Sequence, residues 1–259
     1  MPSPAAAPLL TVTGVTKRFG GVEALSDCTL AVREGSITGL IGPNGAGKTT
    51  LFNVISGLTS ADSGQIRLGR DRLDGLAAHT IAQRGVGRTF QIPRPLGRMT
   101  VLENVLVYAH DQPGEALTRV FTTPTRVRDA EQRTRERARA ILESVDLAHL
   151  ADARADTLSG GQKKLLELAR ALMSDPRVIL LDEPGAGVNP TLMRSLVETI
   201  RTLQAAGRTF LLIEHDMDLV TELCDPVIVM AGGRTLLEGP FAEVRHDPRV
   251  LEAYLGTTA

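Results

Sequence analysis

The sequence predicts an α/β fold: a mainly parallel sheet with helices, an N-terminal antiparallel β subdomain and an inserted α-helical subdomain. Three observations carry that expectation. Short strand-like runs occur at Ser36–Ile41, Val178–Leu181 and Thr209–Ile213, and the second is continuously apolar, as a strand buried on both faces is. Helical segments follow them at Lys48–Ile55, Pro190–Ala205 and Met217–Leu223. Between residues 92 and 157 the alternation stops, and prolines followed by dense charge take its place.

In chain order, Met1–Pro8 lacks a basic start and an apolar run, so it reads as a frayed tail and not as a signal peptide. Leu9–Thr13, Leu30–Val32 and Ser36–Ile41 read as strands, with turns at Gly20-Gly21 and Glu34-Gly35. After the helix Lys48–Ile55 come a short strand at Gln65–Leu68, a helix at Ala77–Arg84 and an extended stretch at Val86–Gln91. Pro93 and Pro95 break the chain, and Thr100–Glu103 fits a capping box that opens a helix through Ala109. Asp111–Thr125 reads as a loop. In Arg126–Val145, Asp129 with Arg133 and Glu131 with Arg135 are favourable i,i+4 pairs, so this charge run is a solvated helix face and not a nucleic-acid surface. A helix opened by Ser159 runs to Met173, Val227–Met230 and Thr235–Leu237 flank a Gly232-Gly233 turn, and Asp247–Tyr254 is helical. The expected organisation is one domain over 1–259. Its core is 9–91 and 158–240, its helical subdomain is 92–157, and 241–259 is a C-terminal helical extension.

A chain of 259 residues with 42% apolar residues can bury a sizeable core. Its formal charge of −1 supplies no net attraction to nucleic acid or acidic lipid. Cys28 and Cys224 have no metal or redox spacing, and the five histidines form no HxH or HExxH pattern. No apolar run approaches the ~20 residues of a spanning helix.

The chemistry is concentrated at strand ends. Gly42-Pro-Asn-Gly-Ala-Gly-Lys-Thr49, between strand and helix, is a P-loop, so the core is of the P-loop NTPase type. Backbone N–H groups from Asn44, Gly45, Ala46, Gly47 and Thr50 are expected around phosphate. Lys48 is expected at the β- and γ-phosphates, and Thr49 at Mg²⁺. Asp182 and Glu183 end the apolar strand, where Asp182 would hold Mg²⁺ and Glu183 would polarise an attacking water. His215 closes the strand Phe210–Ile213 within reach of the γ-phosphate, and Gln91 ends the stretch from Val86. A second phosphate site is expected at Ser159-Gly160-Gly161-Gln162, where Ser159 caps the helix and the glycines admit an anion.

The ordered set GPNGAGKTT at 42–50, Gln91, LSGGQ at 158–162, VILLDEP at 178–184 and His215 resembles the nucleotide-binding subunits of ABC transporters, over nearly the whole chain. That resemblance resolves why one chain carries two phosphate sites. In such proteins two copies or homologues pack head to tail, and the P-loop of one and the LSGGQ of the other enclose each ATP. It implies ATP and Mg²⁺ as ligands, Glu183 as general base, His215 as switch histidine and Gln91 at the ion. It also implies Phe19 against adenine, and Ser159, Gly160, Gly161 and Gln162 closing over the partner's ATP. Asn189 stands where the family often has Asp, so cross-talk between the two ATP sites is expected to differ in strength.

Val86–Gln91, AGVNP at 186–190, Glu214–Met217 and Glu252–Gly256 look like the ATP-binding subunits of branched-chain amino acid importers. The resemblance implies transmembrane permeases, a second ATP-binding subunit or a self-dimer, a periplasmic solute-binding protein, and a peripheral place on the cytoplasmic face of the inner membrane. An exporter, a lipid transporter and a non-transport ATPase of the same superfamily are the alternatives.

Overall fold

The computed structural model describes residues 8–89, 95–110, 122 and 124–255. The chain divides into two units: 1–91 with 177–186 and 200–259, and 92–176 with 187–199.

The first unit opens with a long antiparallel hairpin, β1 (Pro8–Phe19) and β2 (Val22–Arg33). The sequence shows only its inner ends. Further out, the register shifts near Val12, Val15 and Lys17, and Gly14 and Asp27 take positive φ. Each irregularity throws the two-residue alternation out of phase, which hides the strand from a periodicity reading. β3 (Ile37–Ile41) leaves this hairpin for another sheet, while β4 (Ser63–Leu68) and β5 (Asp71–Arg72) complete a four-stranded antiparallel sheet in the order β2-β1-β4-β5.

The larger sheet adds β6 (Val86–Arg88), β7 (Val178–Asp182), β8 (Thr209–Ile213), β9 (Val227–Ala231) and β10 (Arg234–Gly239), in the order β10-β9-β3-β8-β7-β6. It is parallel except for β10, which returns antiparallel to β9. Every residue of β3, β7 and β8 is buried. Helix α1 (Lys48–Ile55) sends Leu51, Phe52 and Ile55 into one apolar cluster with Leu40, Leu180, Leu211, Ile228 and Met230 of the large sheet and Leu10, Val12 and Leu25 of the hairpin. At roughly 1.5–3 kcal/mol per fully buried apolar side chain, this cluster fixes where the start of α1 can lie. α2 (Ala78–Gln83) is shorter than the helix expected at Ala77–Arg84.

In the second unit, α3 (Val101–Leu106), α4 (Pro124–Ser144) and α5 (Gly160–Met173) pack on one another. The capping box forms as read: Glu103 N donates to Thr100 Oγ1 at 3.1 Å, and Thr100 N donates to Glu103 Oε2 at 2.7 Å. The helix ends at Leu106 rather than Ala109. Pro124 and Thr125 belong to helix α4 instead of the end of a loop. Residues 111–121 and 123 of that expected loop lie outside the described residues. Val127, Ala138 and Leu142 of α4 are buried, and its charges lie mostly on the exposed face. Asn104 is fully buried; it accepts from Leu96 N (2.8 Å) and donates to Leu96 O (3.1 Å) and Thr100 O (2.9 Å), which ties the chain before α3 to the helix. Arg170 joins Glu167 to the Tyr108 hydroxyl and stacks on the Tyr108 ring at 4.3 Å. Helix α5, grouped with the core in the sequence reading, lies in this unit, as do the first turns of α6 (Pro190–Ala205).

α7 (Met217–Leu223), α8 (Phe241–Val244) and α9 (Pro248–Leu255) complete the first unit. No helix among the described residues is long and apolar enough to cross a membrane.

Candidate active site

Register brings the strand ends to one edge. Asp182 of β7 pairs with Ile213 of β8, and Ile213 pairs with Leu40 of β3. The loop after β3, the acids after β7 and the polar residues after β8 therefore leave the sheet at the same level, the edge where ligands of open parallel sheets collect.

The loop 42–47 ends at Gly47, whose φ of 96° is left-handed and where a Cβ would lie 2.5 Å from Ala24 O. Only glycine meets both conditions. The N-terminus of α1 has no side-chain cap and no acid in its first turn, so its N–H groups and dipole are available to an anion. Asn44, Gly45 and Thr49 are exposed, Thr50 is half-buried, and Ala46 is buried. Lys48 lies inside the loop, where its ammonium donates to Gly42 O (2.6 Å) and Pro43 O (3.0 Å). Burial pulls its pKa down, and the nearby Glu183 and Asp182 charges oppose that shift.

Asp182 is buried and pairs with the Arg88 guanidinium at 3.2 Å. Burial raises its pKa, and Arg88 works against the rise. Arg88 also donates to Asn53 Oδ1 (2.8 Å) and Ser56 Oγ (2.9 Å) and lies 5.7 Å from the Phe52 ring centroid, so it links the acid to α1. Glu183 takes a left-handed φ of 49°, which turns its side chain off the strand line. Its Oε1 lies 3.1 Å from His215 Nε2, with the two side chains 22% and 42% exposed, so water reaches both.

The sequence reading gave no role to Arg88 or to Glu214. Glu214 is 3% exposed and accepts from Gly185 N at 2.7 Å and from His215 N at 3.1 Å. A signal was present: each is a charged residue at a strand end on the same sheet edge as the residues that were singled out.

Among the described residues no three His, Cys, Asp or Glu side chains cluster to hold a metal ion. Asp182 and the Thr49 hydroxyl are oxygen donors on this edge beside the phosphate loop. That sparse set fits Mg²⁺, which keeps water and phosphate oxygens as most of its ligands. Gln91, the other expected contact, lies outside the described residues.

Ser159–Gln162 belong to the second unit. Ser159 Oγ accepts from Gln162 N (3.3 Å), and the Gln162 side chain accepts from Ser159 N (2.9 Å), a capping box that opens α5. A Cβ on Gly161 would lie 2.5 Å from Leu192 Cδ1, whereas one on Gly160 would meet nothing. A methyl on Gly161 would have to push the Leu192 side chain aside, while one on Gly160 meets no described residue. Asn189 Oδ1 accepts from Leu192 N at 2.9 Å and caps α6, work that Asp does equally well. Phe19, at the tip of the β1–β2 hairpin, is 49% exposed with the Lys17 ammonium 5.4 Å from its ring centroid.

Residues 25–186 match the family described as ABC transporter. The chain belongs to the ABC transporter family. Residues 234–259 match the family described as branched-chain amino acid ATP-binding cassette transporter. The chain is 43% identical to a probable branched-chain amino acid transport ATP-binding protein, LivG, of Archaeoglobus fulgidus, across 96% of this chain and 95% of the relative. It is also 43% identical to the high-affinity branched-chain amino acid transport ATP-binding protein BraF of Pseudomonas aeruginosa, across 96% and 98%. Its fold matches the crystal structure of a nucleotide-free ATP-binding cassette from an ABC transporter, with a TM-score of 0.82, 39% identity, and coverage of 95% and 98%. The ADP conformation of an ATP-binding cassette of an ABC transporter matches with the same TM-score at 38% identity, across 97% and 100%. ABC cassettes thus account for the mainly parallel sheet, the antiparallel β sheet and the helical insertion read from the sequence.

Proposed function

We propose that this chain is the ATP-hydrolysing, nucleotide-binding subunit of an importer for branched-chain amino acids or related small polar solutes. The observation that carries the hydrolytic part is the Glu183–His215 contact of 3.1 Å, on the same sheet edge as the P-loop lysine and Asp182. The relatives' names carry the solute class.

On this reading Lys48 moves from the Gly42 and Pro43 carbonyls to the β- and γ-phosphate oxygens of ATP. Backbone N–H groups of Asn44–Thr50 and the α1 dipole hold the rest of the triphosphate. Thr49 and Asp182, with Gln91, would hold Mg²⁺, which would supply charge neutralisation at the phosphates. Glu183 accepts a proton from the attacking water, and His215 orients the carboxylate and the γ-phosphate. The exposed face of Phe19 takes the adenine.

Ser159–Gln162 serve a second molecule. Gly160 is exposed and no described residue of its own chain crowds it, although glycine is a poor helix former. A requirement imposed from outside the chain explains the choice: the ATP held by a second copy, or by a homologous subunit, in a head-to-tail dimer. The capping box uses Ser159 and Gln162 to shape that helix start. ATP binding then favours the closed dimer, hydrolysis reopens it, and permease subunits are moved in between. The chain would sit peripherally on the cytoplasmic face of the inner membrane, downstream of a periplasmic solute-binding protein.

Gly160→Ala separates the two readings of that glycine. The expected result is unchanged or raised thermal stability with turnover down by at least about tenfold, because a methyl group would stand in the path of the partner's phosphate. Turnover equal to the parent in an ATPase assay would remove the composite site.

A further inference from the structure

A buried carboxylate next to the hydrolytic pair has no role in the reading so far. Glu214 follows β8 directly, and its two oxygens reach two different segments. Oε1 accepts from Gly185 N at 2.7 Å, in the turn after Glu183, and Oε2 accepts from His215 N at 3.1 Å. The turn it grips is one that needs holding. Glu183 carries a Cβ at a φ of 49°, a conformation that persists only where the surroundings enforce it. Pro184 has no N–H to offer. The other backbone donors of the turn are used: Glu183 N to Ile213 O at 3.0 Å, and Ala186 N to Glu183 O at 3.1 Å. Glu214 supplies the acceptor for the remaining one. A closed circuit results, running from Glu183 through His215 and Glu214 to Gly185 and back through Pro184. Burial at this point costs a carboxylate its hydration, and the two N–H donors offset part of that cost.

We propose that Glu214 is a positioning residue for hydrolysis, a clamp that fixes the Glu183 turn and the His215 backbone against each other. It bonds the backbone of both hydrolytic segments, so it should act on the chemical step and not on ATP binding. The proposal rests on the reading of Glu183 and His215 as the hydrolytic pair.

Two variants and two measurements test it. Glu214→Gln keeps the size and one acceptor but sets an amide N–H₂ against the second donor, and Glu214→Ala removes both acceptors. The expected loss in kcat is about tenfold or more for Ala and smaller for Gln, with KM for ATP within about twofold. In a His215→Ala background, Glu214→Ala should cost less than about twofold, since residues acting as a unit are not additive. Additive losses, or a change in KM with kcat kept, would overturn the clamp. Amide NMR supplies a readout that needs no turnover. In Glu214→Gln the Gly185 and His215 amide protons should move upfield while the rest of the spectrum holds, and unmoved resonances would also overturn it. Wild type without ATP turnover would remove the hydrolytic reading, and the amide shifts would still decide the clamp.

Discussion

Glu183→Gln is expected to lower ATP turnover by about 10²–10⁴-fold, the range that a positioned general base contributes, while leaving ATP affinity intact. The glutamine keeps the shape of the side chain and its reach toward His215 Nε2, so the left-handed turn has no new reason to open. What it loses is the capacity to take a proton from water. On the proposed function the nucleotide then stays bound and favours the closed dimer, so the variant should accumulate as an ATP-dependent dimer. Single-turnover hydrolysis and size-exclusion chromatography with and without ATP check both halves. Full turnover would take the base role away from Glu183, and loss of ATP binding would make it a binding residue.

Lys48→Met should separate binding from stability in the opposite sense. The ammonium is buried and bonded to two loop carbonyls, and its pKa is lowered chiefly by burial. A lysine whose pKa is lower folded than unfolded binds fewer protons in the native state. Its contribution to stability is therefore fully present only above the unfolded pKa and is lost as pH falls through the folded value. At neutral pH the charge costs stability, and an apolar side chain of similar length should leave the melting temperature equal or higher. ATP affinity should fall by at least about a hundredfold. Charged hydrogen bonds are worth about 1.5–3 kcal/mol each, and 1.4 kcal/mol is a factor of ten. Calorimetric titration with MgATP and thermal unfolding of the same preparation report the two effects, and a lowered melting temperature would show the lysine holding the loop instead.

Much of this was legible because the chemistry sits on regular elements. The apolar runs Val178–Leu181 and Thr209–Ile213 end in charge, and a strand buried on both faces has few other ways to end in acids. The phosphate loop announced itself through Gly42, Gly47 and Lys48, since its backbone geometry restricts residue choice. Other features were hidden for physical reasons. The long β1–β2 hairpin escaped because bulges break its alternation. Arg88 escaped because a charged residue three positions before a glutamine looks like surface, and only parallel pairing with β7 brings it to Asp182. Glu214 escaped because its partners, Gly185 and His215, are backbone groups that no side-chain pattern encodes. Leu192, which packs against Gly161, is 31 positions away and carries no motif.

This cassette powers transport, and the most direct measurement of that identifies what it holds when trapped. Tagged Glu183→Gln, recovered from detergent-solubilised membranes in the presence of ATP, should bring two multi-span permeases and a second ATP-binding subunit, encoded beside a periplasmic solute-binding protein. Recovery of nucleic acid, ribosomes or no membrane protein would leave the ATPase in place and contradict the transporter.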